Sequence, residues 1–364
     1  MDDSGSRMTA AKPRRATLAD VASRAGVSAV TVSRVLRRPG LVSDALRLRV
    51  ESAVGELAYI PNQMASALAS AQTDTIGVVV PSLTNGVFSD YLRGIHDVFT
   101  PRGFQVLVLN TRYAPIEEEK AIATLLGRHP EAMIVAGIDQ TDHARRLLEQ
   151  SGVPVVQTME LTTDPIDNNI GFSHIDAGYE ATKHLLGLGH RRIGMVEARL
   201  DARARRRLQG YRRAMEEAGV DTTDLIASSV HRSTVKLGGE LLQHLLATAP
   251  GVDAVFCCND DLALGVLFAC QRRNIRVPQD ISILGFNDLD FAASAYPALS
   301  SVATPRLEMG ERAAEAILRI IREPKLRPAE TRIDLGFRIN ERESTSRRTH
   351  HEEPRRKGLA AARP

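Results

Sequence analysis

The chain has 364 residues, of which 43% are hydrophobic, and its formal net charge is +3 at pH 7. This length suggests two or three domains with packed cores. The first 15 residues are polar, and no apolar run approaches about 18 residues, so we expect neither a signal peptide nor a membrane span but a cytoplasmic protein. Three cysteines, Cys257, Cys258 and Cys270, are too few for a disulfide framework or a paired zinc motif.

Positive charge collects at the two ends of the chain. Residues 1–73 carry ten Lys and Arg against six Asp and Glu, and residues 341–364 carry seven against four, which leaves a net charge of −4 for residues 74–340. Basic segments favour contact with nucleic-acid phosphates. We expect a disordered arm over 1–14 and a disordered basic tail over 341–364, where no apolar periodicity occurs.

Residues 17–36, TLADVASRAGVSAVTVSRVL, predict two short amphipathic helices around a tight turn. Gly26 provides the turn because glycine accepts a left-handed backbone, and Ser28 is placed to cap the second helix. The pattern indicates a helix-turn-helix, whose second helix enters the DNA major groove, although an ordinary helical hairpin has the same periodicity. The candidate DNA contacts in this segment are Thr17, Leu18, Ser28, Ala29, Val30, Thr31, Ser33 and Arg34.

A third helix is predicted from Ser43 to Leu57, and AYIPNQMASALAS follows at 58–70. Together with LADVASRAGVS and TVSRVL, these pieces resemble the headpiece and hinge of the lactose-repressor (LacI/GalR) family of bacterial transcription factors. The resemblance continues to about Thr345, where RINERESTS is similar to the family's usual end. It implies a DNA-binding headpiece over 15–61 and a hinge helix over 62–71.

The resemblance also implies partners for the chain, namely a palindromic double-stranded DNA operator, a small-molecule effector and a second copy of the chain. A dimer suffices for the operator, and a tetramer stays open. A hinge helix over 62–70 is too short to be stable alone, so we expect it to fold only against its partner on DNA. Leu68 takes the position of the family's wedging leucine in the minor groove, and Asn62 and Ala65 are the other hinge contacts.

From residue 74 onward, short apolar runs alternate with helical stretches, which predicts an α/β core. Two groups of four strands favour two doubly wound parallel sheets, in a two-lobed architecture resembling periplasmic binding proteins, with the ligand in the cleft beyond the strand ends. We expect one subdomain over 74–171 with 303–330, and the other over 172–302 with 331–340. The predicted strands cover 75–81, 104–110, 131–137, 153–158, 191–197, 225–230, 253–259 and 281–287.

Catalytic and cofactor motifs are missing from the sequence. It contains no GxGxxG after the first predicted strand, no GxSxG elbow and no HExxH. We therefore expect no enzyme, no cofactor and no metal site, and we interpret Asn259-Asp260-Asp261 as ligand hydrogen bonding combined with helix capping. A sugar-processing enzyme or a solute-binding protein is the alternative from another class, but the latter needs a signal peptide and carries no DNA headpiece.

Within the family, the segments PSLTNGVF, ARLDARARRRLQGY and CNDDLALG resemble the gluconate-repressor branch. Asn287 stands where the family usually has Asp, and the loop near 228–236 lacks the family's stacking aromatic. With Arg203 and Arg207 retained, we expect a positive pocket for a carboxylate, hence an open-chain sugar acid such as gluconate. A neutral sugar or a sugar phosphate is the alternative. The resemblance implies the effector-binding set Leu83, Phe88, Arg203, Arg207, Asn259 and Asn287, whereas Arg205 and Arg206 are expected to be solvated.

Overall fold

The structure, a computed structural model, divides into two units, residues 1–73 and residues 74–364. The described residues are 14–37, 39–60, 73–198, 202–323 and 331–348. The predicted hinge helix over 62–71 and its contacts Asn62, Ala65 and Leu68 lie outside them, as does the arm over 1–13. Within the described ranges, no helix is both long enough and apolar enough to cross a membrane.

The first unit is all helical, with α1 (Leu18–Ala25), α2 (Ala29–Arg37), α3 (Asp44–Glu56) and a short 3-10 turn at Pro39–Leu41. Gly26 adopts the left-handed conformation predicted for the turn, at φ 62°. One apolar core holds the three helices together; its buried members are Val21, Ala22, Ala25, Val32, Val35, Val50 and Ala53. The helix-turn-helix prediction is confirmed at the level of its fold.

The second unit contains two six-stranded sheets, in the orders β11-β5-β4-β3-β1-β2 and β12-β10-β9-β8-β6-β7. Every pairing is parallel except that of β12 with β10. Most central strands are apolar and buried throughout, as parallel strands covered on both faces should be. The strands are β1 (Thr75–Val80), β2 (Gln105–Asn110), β3 (Ala132–Ala136), β4 (Val155–Thr158), β5 (Asn168–Gly171), β6 (Ile193–Ala198), β7 (Ile226–Ser229), β8 (Ala254–Cys257), β9 (Ser282–Asn287), β10 (Ser300–Ala303), β11 (Thr331–Asp334) and β12 (Arg338–Asn340).

Helices cover both sheets, in the doubly wound arrangement predicted. We refer to the sheet that contains β1 with its helices as the first lobe, and to the other sheet with its helices as the second lobe. The helices are α4 (Val87–Phe99), α5 (Pro115–Leu126), α6 (Asp142–Gln150), α7 (His174–Gly187), α8 (Ala202–Glu217), α9 (Val235–Thr248), α10 (Asp260–Arg272), α11 (Asp290–Ser294) and α12 (Arg306–Arg322).

The subdomain boundary predicted near the C-terminus is wrong in part. Residues 331–334 were expected in the second lobe, but β11 pairs in parallel with β5 of the first sheet. Only β12, at 338–340, joins the second sheet, against β10. The chain therefore passes between the lobes three times, after β5, after β10 and after β11. Because β11 and β12 are very short, their apolar pattern could not assign them to a sheet.

The predicted disorder of the tail is also wrong for its first eight residues, 341–348. Ser344 is fully buried, its hydroxyl donates to the carbonyl of Ile283 at 2.6 Å, and its N–H donates to the carbonyl of Ala298 at 2.9 Å. His190 Nε2 lies 3.1 Å from the carbonyl of Ser346. Hydrogen bonds rather than apolar contacts hold this segment, and residues 349–364 lie outside the described ranges.

Glycines allow three pairs of helices to pack closely, α4 with α12, α7 with α8, and α9 with α10. In the last pair, a Cβ on Gly265 would clash with the carbonyl oxygen of Val235, and one on Gly238 with that of Leu262. Equivalent backbone contacts involve Gly178 and Gly210 between α7 and α8. A backbone atom cannot move aside as a flexible side chain can, so these positions tolerate no larger residue without a shift of the helices.

Replacing Gly265 with Ala should therefore lower the free energy of unfolding by about 1–3 kcal/mol, the usual cost of overpacking a core. The control is Gly187→Ala at the end of α7, where a Cβ meets nothing within 4 Å and alanine's helix propensity should leave stability equal or higher. Urea unfolding followed by circular dichroism measures both. Equal midpoints for Gly265→Ala and the wild type would contradict the close packing.

Candidate functional site

Helix α2 presents one apolar face to the headpiece core and another face to solvent. Ser28, just before the helix, accepts a hydrogen bond from the N–H of Thr31 at 3.1 Å, as an N-cap does. Ala29 and Val30 are exposed in the first turn, and Val30 has 68% of its surface accessible. Arg34, one turn later, is also exposed. The solvent face thus carries the residue types and positions predicted for a major-groove helix.

Thr17 and Leu18 have structural contacts at the start of α1. Thr17 and Asp20 form a capping box, in which the Thr17 hydroxyl donates to Asp20 Oδ2 at 2.7 Å. These hydrogen bonds and Arg14 lower the pKa of Asp20 to about 2. Leu18 is half-buried and packs against the headpiece core. The structure thus shows that Thr17 caps α1 and that Leu18 packs against the core. The contact of these two residues with DNA stays a prediction.

A cavity of about 240 Å³ lies where the carboxyl ends of the two sheets face each other. Both lobes contribute to its wall, and Cys258 lines it beside the end of β8. Among the predicted effector residues, Leu83 is absent from the lining; it lies on the loop after β1, where it is 55% exposed. The other five do line the cavity; they are Phe88, Arg203, Arg207, Asn259 and Asn287.

Arg207 is the most buried cation of the cavity, with 7% of its surface accessible. Its Nη1 donates to Nδ1 of His174 at 3.0 Å, since a guanidinium can only donate. The guanidinium carbon lies 4.5 Å from the centroid of the Phe286 ring, in cation–π geometry. Its Nε is buried without a hydrogen-bond partner, and the residue lines the cavity.

Arg203, one turn before Arg207 on α8, reaches across to the first lobe. Its guanidinium carbon lies 5.5 Å from the centroid of the buried Phe88 ring. Phe88 comes from the first turn of α4 and in turn contacts Tyr91 edge to face. At this wall of the cleft, an arginine of the second lobe therefore lies over an aromatic ring of the first lobe.

The Asn259-Asp260-Asp261 motif separates into two roles. Asn259 caps α10 through the N–H of Leu262 at 3.0 Å, and its Nδ2 donates to Ser233 Oγ at 2.6 Å. Asp260 is fully buried and does not line the cavity. Its carboxylate accepts hydrogen bonds from the Ser301 hydroxyl and the N–H of Leu289. Burial raises the pKa of this carboxyl group to about 7. Among the described residues, no group of three or more His, Cys, Asp or Glu side chains could hold a metal ion.

Several lining residues were missed because they come from loops whose course the periodicity does not reveal. Arg232 lines the cavity, and its Nη2 donates to Thr84 Oγ1 of the first lobe at 2.6 Å. The loop over 228–236 therefore adds a cation to the lining that the sequence did not single out. This loop contains no Phe, Tyr or Trp, and Tyr113 and Phe172 line the cavity from other segments.

Arg306, at the start of α12, is a further lining cation that the sequence did not single out. It donates to Asp90 Oδ2 of α4 at 3.1 Å and to the carbonyl of Asp288 at 3.2 Å. It also donates to the carbonyl of Asn287, whose backbone has a φ of 104°. Arg306 therefore joins the two lobes and fixes the end of β9, while its Nε is buried without a partner.

Arg206 was expected to be solvated, and this prediction is wrong. It forms a bidentate contact with Asp139 of the first lobe, at 2.5 and 2.9 Å. Its Nε also lies 3.6 Å from Oε2 of Glu160, and burial raises the pKa of that carboxyl group. Arg205, its neighbour, is exposed as expected.

Comparison with known proteins identifies the family to which this architecture belongs. A family model described as "Bacterial regulatory proteins, lacI family" matches residues 17–62, and one described as "Periplasmic binding protein-like domain" matches residues 182–345. The HTH-type transcriptional regulator GntR of Pseudomonas aeruginosa is 44% identical over 331 residues, which cover 91% of this chain and 96% of that protein. The chain belongs to the LacI family of bacterial transcriptional regulators.

Solved structures of other LacI-family proteins have the same fold as this chain. A LacI-family transcriptional regulator from Silicibacter pomeroyi matches with a TM-score of 0.85 at 37% identity, over 91% of this chain and all of that one. The lac repressor dimer bound to operator and the anti-inducer ONPF matches with a TM-score of 0.77 at 27% identity, over 92% of this chain and 100% of that one. These matches confirm the predicted family and the predicted fold class.

The exposed start of α2 generates a prediction for DNA recognition. Replacing Ala29 with Ser and Val30 with Gln should change the preferred operator sequence, because apolar contacts with thymine methyl groups would give way to hydrogen bonds with base edges. Non-specific binding should persist, since the substitutions change no Lys or Arg that could neutralise phosphates. Selection from randomised DNA sites measures the preference.

The matched control is Val230→Gln, at a valine that is 71% exposed in the other unit of the chain. This variant should select the same sites as the wild type. If the double variant also selects the wild-type sites, α2 does not read bases through Ala29 and Val30.

Proposed function

We propose that this regulator is a dimeric repressor of sugar-acid catabolism genes, which binds a palindromic operator and takes an open-chain sugar acid of the gluconate type in its cleft. The observation that carries the effector class is the buried guanidinium of Arg207, a cation in the lining of the cavity. A carboxylate of the effector would accept hydrogen bonds from this guanidinium. The proposal assigns the chain no catalytic role and no cofactor.

The operator and the dimer follow from the headpiece and from the family. A single small helix-turn-helix buries too little surface for useful specific affinity, and a two-fold dimer matches a palindromic site. The related lac repressor structure is a dimer bound to operator. A regulator of this kind acts on the chromosome, so the proposal requires the cytoplasm as its compartment.

The charge of the cavity supports an anionic effector. Four arginines line it (Arg203, Arg207, Arg232 and Arg306), whereas Asp261 is the one carboxylate among the described residues of the lining. An unpaired cationic donor is costly to bury, and a planar guanidinium binds a carboxylate well. A neutral sugar would leave the Arg207 donor without a charged partner, which makes it the weaker candidate.

The size and polarity of the cavity suit a small polyhydroxy compound. Its volume of about 240 Å³ is below the roughly 300–1,000 Å³ of sites for drug-sized ligands. Besides its arginines, the lining includes the hydroxyl or amide groups of Ser82, Thr84, Asn85, Ser233, Thr234, Asn259, Asn287 and Thr304. These groups can both donate and accept hydrogen bonds, as sugar hydroxyls can.

Replacing Arg207 with Ala should weaken gluconate binding by about 1.5–3 kcal/mol, the value of a hydrogen bond with a charged group. Operator binding should persist, because Arg207 lines the cleft and the substitution changes no residue of the headpiece. The matched control is Arg205→Ala, which removes an exposed guanidinium from the same helix. Calorimetric titration of each protein with gluconate and with glucose measures the difference.

Asn287→Asp provides a second test in the same titrations. A new carboxylate in the lining should weaken the sugar acid through like-charge repulsion and should favour a neutral sugar in relative terms. The proposal is wrong if the wild type binds glucose more tightly than every sugar acid tried, or if Arg207→Ala binds gluconate as the wild type does. Tighter binding of a sugar phosphate than of gluconate would support the alternative effector class.

A further inference from the structure

Asp261 is an acidic side chain in a cleft otherwise rich in arginine. It is the second residue of α10, it is half-buried, and it lines the cavity. None of the hydrogen bonds or ion pairs within the described ranges involves its carboxylate. Burial raises the pKa of this carboxyl group, and the nearby Arg232 opposes that shift. The cavity therefore contains one acceptor-only group that no protein donor satisfies.

The neighbours of Asp261 form a polar set distinct from the surroundings of Arg207. Arg232 is its electrostatic partner, and the hydrogen bond from Asn259 to Ser233 ties the start of α10 to the loop that contains Arg232. Arg207, in contrast, lies against an imidazole and the Phe286 ring. One part of the lining thus has a buried cation on an aromatic face, and another has a carboxylate, a guanidinium and an amide.

This second set has the donors and acceptors that adjacent hydroxyl groups need. A hydroxyl group donates one hydrogen bond and accepts others, so a polyol chain is best satisfied where a carboxylate accepts while a guanidinium and an amide donate. At the end of β9, Asn287 lines the cavity with an amide rather than a carboxylate. Asp261 supplies a carboxylate from the first turn of α10 in the same lobe.

We propose that Asp261 determines the specificity of the cleft, because its carboxylate accepts the hydroxyl groups of the effector's polyol chain and repels a phosphate there. The effector class is then a monocarboxylic sugar acid that is not phosphorylated. This inference rests on the proposed function, in which Arg207 takes the carboxylate. A phosphate brings a charge of about −1.5 to −2 at neutral pH, and placing it beside a second anion is unfavourable even with Arg232 nearby.

The experiment is calorimetric titration of the full-length protein with gluconate and with 6-phosphogluconate. The wild type should bind gluconate at least about tenfold more tightly, since like-charge juxtaposition costs more than one tenfold step in affinity. Asp261→Asn keeps the shape of the side chain but removes its charge, and it should reduce that preference by at least about tenfold. The control Asp142→Asn removes an aspartate from the first turn of α6, outside the cavity, and should leave the preference unchanged.

The outcomes separate this inference from the proposed function. If the wild type binds 6-phosphogluconate as tightly as gluconate, or if Asp261→Asn keeps the wild-type preference, the role of Asp261 is wrong. Binding of gluconate that is lost in Arg207→Ala would still support the proposed function in either case. If the wild type binds no sugar acid, both fail. The preference of the wild type is measured without any variant, so the test does not depend on the folding of Asp261→Asn.

Discussion

The cleft is organised around one buried charge, the guanidinium of Arg207. Burying a cation is unfavourable unless partners replace the water it loses. Gly178 and Gly210 let α7 and α8 approach closely, which brings His174 within hydrogen-bond distance of Arg207, and the ring of Phe286 covers the guanidinium face. These partners satisfy only part of the group. Neither partner carries a negative charge, and this is the physical reason for an anion in the cleft.

Hydrogen bonds from arginine side chains also join the two lobes. Arg206 reaches Asp139 of the first lobe, and Arg232 reaches Thr84 of the same lobe, each from a loop or helix of the second lobe. Arg306 binds carbonyl oxygens at the end of β9 from the opposite side. A ligand changes the relative position of two lobes only to the extent that it binds one arrangement better. In this cleft, the guanidinium groups that line the cavity are also among those that hold the lobes together.

The sequence predicted those features that depend on local patterns. The turn at Gly26 follows from backbone freedom, and buried strands such as β1 and β9 follow from continuous apolar runs. It did not predict β5 or the packing of 341–348, because buried Asn and Ser side chains held by hydrogen bonds look like loop residues. The role of Arg206 was missed for a different reason. Its partners lie in the other lobe, and no periodicity reports a contact that depends on tertiary structure.

Regulation by the cleft is tested most directly by measuring operator affinity with the cleft empty and filled. Fluorescence anisotropy would titrate the full-length protein onto the selected operator with saturating gluconate, and with sodium chloride at the same ionic strength, because protein–DNA affinity depends on salt. Typical allosteric coupling predicts that gluconate changes the operator Kd by about 5–150-fold. In Arg207→Ala, gluconate should leave the operator Kd unchanged. An unchanged Kd under conditions where calorimetry shows gluconate bound would contradict a regulatory cleft.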